Sequence, residues 1–139
     1  MSKTAIDTIA SQCLGARIRL LNRLISGVYD RALRPHGLRI SQLNVLVSTA
    51  ARGPLRASEL CRLLKLEKST LSRDLERLIE QGWISRSPQL EITAAGRRHI
   101  AQCLPAWRRA QREARRLLTP PVADGTMEVV GQLWLNEGL

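Results

Sequence analysis

The chain has 139 residues, enough for one domain with a real hydrophobic core. Hydrophobic residues make up 44% and charged residues 24%, a globular balance rather than a disordered or membrane-spanning one, and a 3% aromatic content without Phe leaves the core to Leu, Ile, Val and Ala. Lys and Arg total 22 against 12 Asp and Glu, a net charge of +10, which points to a polyanionic partner: nucleic acid first, an anionic membrane surface second.

The cations are nearly all Arg, whose planar fork suits phosphates and base edges, although a high genomic GC content enriches Arg as well. No stretch is long and apolar enough to span a bilayer, and the N-terminus lacks the apolar run of a signal peptide. Cys13, Cys61 and Cys103 are odd in number, widely separated and without metal-ligand spacing. These features predict a reducing, cytosolic setting with no disulfide framework, no metal site and no cofactor.

In chain order, the first element is one long helix from about Ile6 to Leu33. Leu14, Ile18, Leu21, Ile25, Val28 and Ala32 alternate steps of four and three, and Leu20 and Leu24 widen the apolar surface beyond what one neighbouring helix needs. Such a helix is either deeply buried or shared with a second subunit. Pro35 and Gly37 end it. Ser41 is placed to cap a helix from Gln42 to about Ala51, with Leu43, Leu46, Val47 and Ala50 inward. Arg52-Gly53-Pro54 marks a turn, Leu55 a brief strand, and Arg56 to Lys65 a short helix burying Ala57, Leu60, Cys61 and Leu64.

A further helix follows after a very short connection, so the pair forms a helix-turn-helix. Leu71, Leu75, Leu78 and Ile79 recur at helical spacing on its core stripe. The opposite face carries Ser69, Thr70, Arg73 and Arg77, and Gly82 suits the left-handed end. Guanidinium forks and short hydroxyls in the first turns fit base edges and phosphates, and a solvated charged face is the plainer alternative.

Trp83 to Arg86 and Leu90 to Ile92, joined by Ser87-Pro88-Gln89, read as a β-hairpin, the wing of a winged helix. Thr93 caps a long, Arg-rich helix from Ala94 past Leu117 that Pro105 is expected to bend. Thr119-Pro120-Pro121 stops it, and Gly125 to Asn136 forms a last helix with Met127, Val130, Leu133 and Trp134 as its apolar side. The fold class is mainly α with a small β-hairpin wing.

Several segments together resemble the multiple-antibiotic-resistance regulator (MarR) family across nearly the whole chain. They are Leu33-Arg34-Pro35-His36-Gly37-Leu38, Ser41-Gln42-Leu43-Asn44-Val45-Leu46, Ala57-Ser58-Glu59-Leu60 and Glu67-Lys68-Ser69-Thr70-Leu71-Ser72-Arg73. Leu78-Ile79-Glu80-Gln81-Gly82-Trp83-Ile84, Ile92-Thr93-Ala94-Ala95-Gly96 and Leu104-Pro105-Ala106-Trp107-Arg108 continue the series. The resemblance implies a single domain over residues 1–139, with dimerisation helices at 1–38 and 97–139 and a winged helix-turn-helix lobe at 41–94. It further implies a homodimer of triangular outline whose terminal helices intertwine and whose lobes enter successive major grooves of double-stranded DNA. Family wings usually carry an Asp-x-Arg tip, but here the tip has neither residue and Arg86 at the wing base is the nearest cation.

The expected function is a sequence-specific transcriptional regulator, a repressor of a pseudo-palindromic operator released by a small ligand or an oxidant. Lys68, Ser69, Thr70, Ser72, Arg73, Arg77 and Arg86 are its candidate DNA contacts. A nonspecific DNA-architectural protein and a basic helical module for an acidic protein are the alternatives. The family often binds small aromatic acids between dimer helices and lobes. By that analogy Arg17, Tyr29 and Trp107 line a ligand crevice, against the plainer reading that they pack or meet solvent. Cys13, with Arg17 one turn later, is the candidate redox residue, although the hydroperoxide-sensing branch has Tyr where Arg17 stands and a bystander thiol is the alternative. His36 and His99, far apart in sequence, read as solvated surface residues, and no enzymatic constellation is visible.

Overall fold

The computed structural model describes residues 2–86 and 88–136, with side chains as far as Leu133. Seven helices and one hairpin appear in the order α1 (Ala5–Gln12), α2 (Leu14–Leu33), α3 (Ile40–Arg52), α4 (Ala57–Leu64), α5 (Lys68–Glu80), β1 (Ile84–Arg86), β2 (Leu90–Ile92), α6 (Ala94–Leu118) and α7 (Pro120–Asn136). A 3-10 turn, Arg34–His36, links α2 to α3.

The single N-terminal helix expected from Ile6 to Leu33 is two helices. Cys13 has an extended backbone (φ −70°, ψ 104°) and its sulfur accepts the Ala16 N–H at 3.4 Å, so it ends α1 and caps α2. Thr4 and Asp7 close a reciprocal capping box at the other end of α1. Helix α3 begins at Ile40, before the expected Ser41 cap, because Asp30 of α2 supplies the acceptor: its Oδ1 takes the Ile40 N–H at 2.8 Å. On α3, Leu43 and Leu46 are buried as expected, but Val45 is enclosed with them whereas Val47, expected inward, is 44% exposed. On α4, Leu63 joins Leu60 in the core and Cys61 is half-buried.

One apolar cluster joins Leu33, Leu38, Leu43, Val45 and Leu46 to Leu55, Leu60, Leu71, Leu75 and Leu78, then to Ile84, Leu90, Ile92 and Cys103. It lies beneath α3, α4, α5 and the hairpin. The hairpin pairs Ile84 with Ile92 and Arg86 with Leu90, and Leu55 extends it by exchanging backbone hydrogen bonds with Leu90 at 3.1 and 2.9 Å. Helix α5 ends in a Schellman motif: Gly82, at φ +75°, donates to Ile79 O and Trp83 donates to Leu78 O.

The same corner starts α6. Thr93 Oγ1 accepts the Gly96 N–H at 3.0 Å while its hydroxyl donates to Gly82 O at 2.6 Å. A Cβ on Gly96 would stand 2.3 Å from Trp83 O, so only glycine permits this contact. Helix α6 runs unbroken through Pro105 and packs along α2, burying Ala106, Ala110 and Ala114. Thr119 (φ 69°, ψ 151°) ends it, and α7 starts at once with Pro120 rather than at Gly125. Proline suits a first helical position because no hydrogen bond is required of its nitrogen there.

The outer helices are largely uncovered. Ile6 and Ile9 on α1, Leu14, Ile18, Leu20 and Leu24 on α2, and Met127, Val129 and Leu133 on α7 are all more than half exposed. The seam read from the sequence is therefore buried in this chain only from Ile25 onward. Trp134 and Leu135 lie outside the described side chains. No described helix is long and apolar enough to cross a membrane.

Candidate nucleic-acid interface

Helix α5 divides by its own periodicity, about 100° per residue. Leu71, Leu75 and Leu78 are buried against the lobe. Ser69 and Arg73 project directly away from that core and are exposed, with the Arg73 Nε donating to Ser69 O at 3.5 Å one turn back. Among the described residues no carboxylate pairs with Arg73. Lys68 and half-buried Ser72 lie on one flank of α5; exposed Thr70 and Arg77 lie on the other.

Each flank opens into a cleft. The first, about 630 Å³, lies between α4, α5 and the hairpin. Leu71, Leu75, Pro88 and Leu90 give it an apolar floor, and Arg56, Lys68 and Arg86 bring charge to it. Arg56 also pairs with Glu59 at 2.9 Å. The second, about 610 Å³, lies where α2 turns into α3 and is lined by Arg34, Arg39 and Arg77 with Asp30, Leu38 and Gln42. Arg77 crosses from α5 to donate to Gly37 O at 3.4 Å, which ties the helix to that turn. The seven sequence-predicted contacts therefore all sit on α5 or the adjoining hairpin. Arg34, Arg39 and Arg56 join them only in space, which no periodicity signals.

The expectation for His36 and His99 is corrected. His99 stacks on Trp83 with ring centroids 3.9 Å apart and planes 12° apart, and its Nε2 lies 2.8 Å from the carbonyl oxygen of His36. A carbonyl only accepts, so Nε2 carries the hydrogen. Both histidines are half-buried at the joint between the turn after α2, the end of α5 and the start of α6, rather than free on the surface.

The ligand-crevice residues do not converge in this chain. Arg17 and Tyr29 stand about 18 Å apart along α2, at about 1.5 Å per residue. Arg17 is exposed and donates to Cys13 O and Ala10 O. The Tyr29 hydroxyl donates to Gln111 on α6; burial pushes the phenol pKa up and nearby Arg115 pulls it down. Trp107 is half-buried against the core. Cys13 is half-buried with its sulfur committed to the α2 cap, and Arg17 reaches its carbonyl rather than its thiol. Burial raises the Cys103 thiol pKa, as expected of a core cysteine.

A short helix, a tight turn, a second helix with a bare polar face and a two-stranded wing define a winged helix-turn-helix lobe. The MarR family pattern matches residues 36–91, the stretch from that turn to the wing. An HTH-type transcriptional regulator of Bacillus subtilis, YwoH, is 38% identical over 64 residues, which is 46% of this chain and 47% of that protein. The MarR protein of Salmonella typhimurium is 32% identical over 75 residues, or 54% and 52% of the two chains, so this chain matches about half the length of these curated relatives. The crystal structure of the Mycobacterium tuberculosis regulator MosR superposes with a TM-score of 0.69 at 30% identity, covering 88% of this chain and 95% of that one. The chain belongs to the MarR family. At 21% identity, the M. tuberculosis MarR-family protein Rv2887 shares the fold with a TM-score of 0.69 over 88% of this chain and 98% of its own; its structures include complexes with DNA and with salicylic acid.

Proposed function

We propose that this chain is the protomer of a homodimeric, sequence-specific DNA-binding transcriptional regulator, a repressor of a pseudo-palindromic operator that a small aromatic acid releases. The observation that carries the reading is the exposed Ser69, Thr70 and Arg73 face on α5, held outward by a fully buried Leu71-Leu75-Leu78 stripe. Residues early in such a helix reach the floor of the major groove, where an arginine most often takes guanine O6 and N7. The uncovered apolar side chains of α1, α2 and α7 support the dimer, since exposed apolar surface on this scale marks an interface. Two lobes related by a dyad would favour half-sites about 10 bp apart, centre to centre.

The complexes known for Rv2887 support both the DNA and the aromatic-acid parts of this reading. In this chain the cleft beside Ser72 has the chemistry for such an acid: an apolar floor for the ring and Arg56, Lys68 and Arg86 for the carboxylate. An acid seated there would occupy cations that DNA also needs.

The test is a binding titration on the DNA upstream of the chain's own gene, with scrambled DNA at equal salt, repeated with salicylate and with peroxide. Tight binding to the upstream DNA alone, weakened by salicylate, is the expected result. Equal affinity for both duplexes would instead indicate the architectural role, and failure to bind either would favour an acidic protein partner. Release by peroxide alone would move the signal to a cysteine, with Cys13 the first to substitute.

A further inference from the structure

The two clefts lie on opposite flanks of one helix, and together they describe more than a reading face. From the α5 core stripe, Lys68 and Ser72 turn about 60–100° one way, and Arg77 and Thr70 about 100–120° the other way. The Lys68 flank gathers Arg56 from α4 and Arg86 from the hairpin. The Arg77 flank gathers Arg34 and Arg39 from the turn between α2 and α3. Each side thus collects three cations, the first from three segments of chain and the second from two.

An α-helix with its side chains is about 10–12 Å across, close to the major-groove width of about 12 Å. A helix seated there has a phosphate strand along each side. We propose that the Arg34-Arg39-Arg77 cleft is a second phosphate-backbone site, so that each lobe clamps both DNA strands across the groove rather than gripping one through the wing side alone. The inference rests on the DNA-binding reading above and adds Arg34 and Arg39, which no feature of the recognition helix or wing identifies.

Local geometry suits the task. Asp30, the acid in this cleft, has its Oδ1 committed to the Ile40 N–H at 2.8 Å, where it caps α3. Arg34 and Arg39 are exposed and neither pairs with a carboxylate among the described residues. The Arg77 hydrogen bond to Gly37 O fixes the distance between this turn and α5, so the three cations travel with the reading helix as one unit. The wing tip Pro88-Gln89 carries no cation, so backbone contacts have to come from elsewhere.

The experiment compares DNA affinity against salt for the full chain and for Arg34→Ala/Arg39→Ala. Losing two phosphate contacts should flatten the slope of log affinity against log salt by about 1.8 per lobe. The loss should be alike on operator and scrambled DNA, because phosphates carry no sequence. Arg34→Lys/Arg39→Lys, which keeps both charges, should retain the parent slope. In parallel, neutral methylphosphonate linkages in the operator should weaken the unmodified protein when placed on either strand beside each half-site. An unchanged slope in the Ala variant while the parent binds normally would overturn the clamp and leave the DNA reading intact. So would a Lys variant as flat as the Ala variant, a loss confined to one base pair, or methylphosphonate sensitivity on one strand only. A parent that binds no DNA at all would overturn the clamp and the function together.

Discussion

The lobe from α3 to β2 and the outer helices α1, α2 and α7 handle apolar surface in opposite ways. In the lobe, Leu46, Leu60, Leu71, Leu75, Leu78 and Ile84 are at most 2% exposed, and its turns are closed by Gly82, Thr93 and Gly96. In the outer helices, side chains of the same kind face water: Ile6 is 80% exposed, Leu14 69% and Leu24 68%. The sequence patterns behind the two regions are alike, repeated leucines at helical spacing. The difference is in what covers them: the lobe is completed by its own chain, whereas the arms are left bare by it, the surface that the proposed dimer would bury.

This contrast predicts the largest effects. Leu75→Ala should destabilise the lobe by about 2–5 kcal/mol, the cost of a buried cavity, seen as a lower denaturation midpoint at any protein concentration. Leu24→Glu should leave the lobe's midpoint nearly unchanged in dilute protein yet abolish the dimer, which light scattering at micromolar concentration would report. A Leu24→Glu variant that stays dimeric, or a parent that is a folded monomer, would erase the distinction between the regions.

Next comes the joint where the lobe meets the long helix. Gly96→Ala places a methyl 2.3 Å from Trp83 O, against backbone rather than a flexible side chain. Overpacking of that kind costs about 1–3 kcal/mol. The forced shift also moves the wing base relative to α6, so DNA affinity should fall together with thermal stability. Loss of stability with DNA affinity unaltered in the folded fraction would show that the joint does not position the wing.

The lobe was largely legible in the sequence because its signals are local. The Leu71-Leu75-Leu78 period, the Gly82 terminus, the Thr93 cap and the hairpin all depend on residues close in the chain. Elements governed from a distance were not legible. The α3 start depends on a carboxylate ten residues away, and the His99-His36 contact spans 63 residues. The break at Cys13 depends on a sulfur acting as a cap, which a periodic pattern passes over. For the same reason the candidate DNA contacts on α5 could be named from the helix alone, while Arg34, Arg39 and Arg56 had to wait for the clefts.

Within the reading face the expected effect is specific rather than large. Arg73→Ala should cost about 1–3 kcal/mol on the operator and relax preference at one symmetric pair of positions. On a scrambled duplex it should cost no more than a phosphate contact. Equal losses on the two duplexes at the same salt would remove Arg73 from base reading and leave it a backbone cation like Arg77.

The smallest effect belongs to α1, the first of the outer helices. The Thr4 hydroxyl and N–H both donate to Asp7 Oδ2, at 2.6 and 3.1 Å, and these hydrogen bonds, the side-chain one first, hold the Asp7 carboxyl below its ordinary pKa of 3.8. A depressed folded-state pKa favours the capped helix above the ordinary value, and that contribution disappears as pH falls through the lowered one. Helix α1 should therefore fray below about pH 3.8 before the lobe does, with Asp7→Asn fraying it to a similar extent at neutral pH. Amide exchange at Asp7 and Thr8, whose N–H groups are held by Thr4 Oγ1 and Thr4 O, reads this directly. Because α1 is solvent-exposed in the single chain, protection factors at both amides that stay constant with pH, once intrinsic exchange is divided out, would mean that the box does not set the helix start. Protection at those amides that rises with protein concentration would instead show that the partner chain, not the Thr4-Asp7 box, fixes this helix.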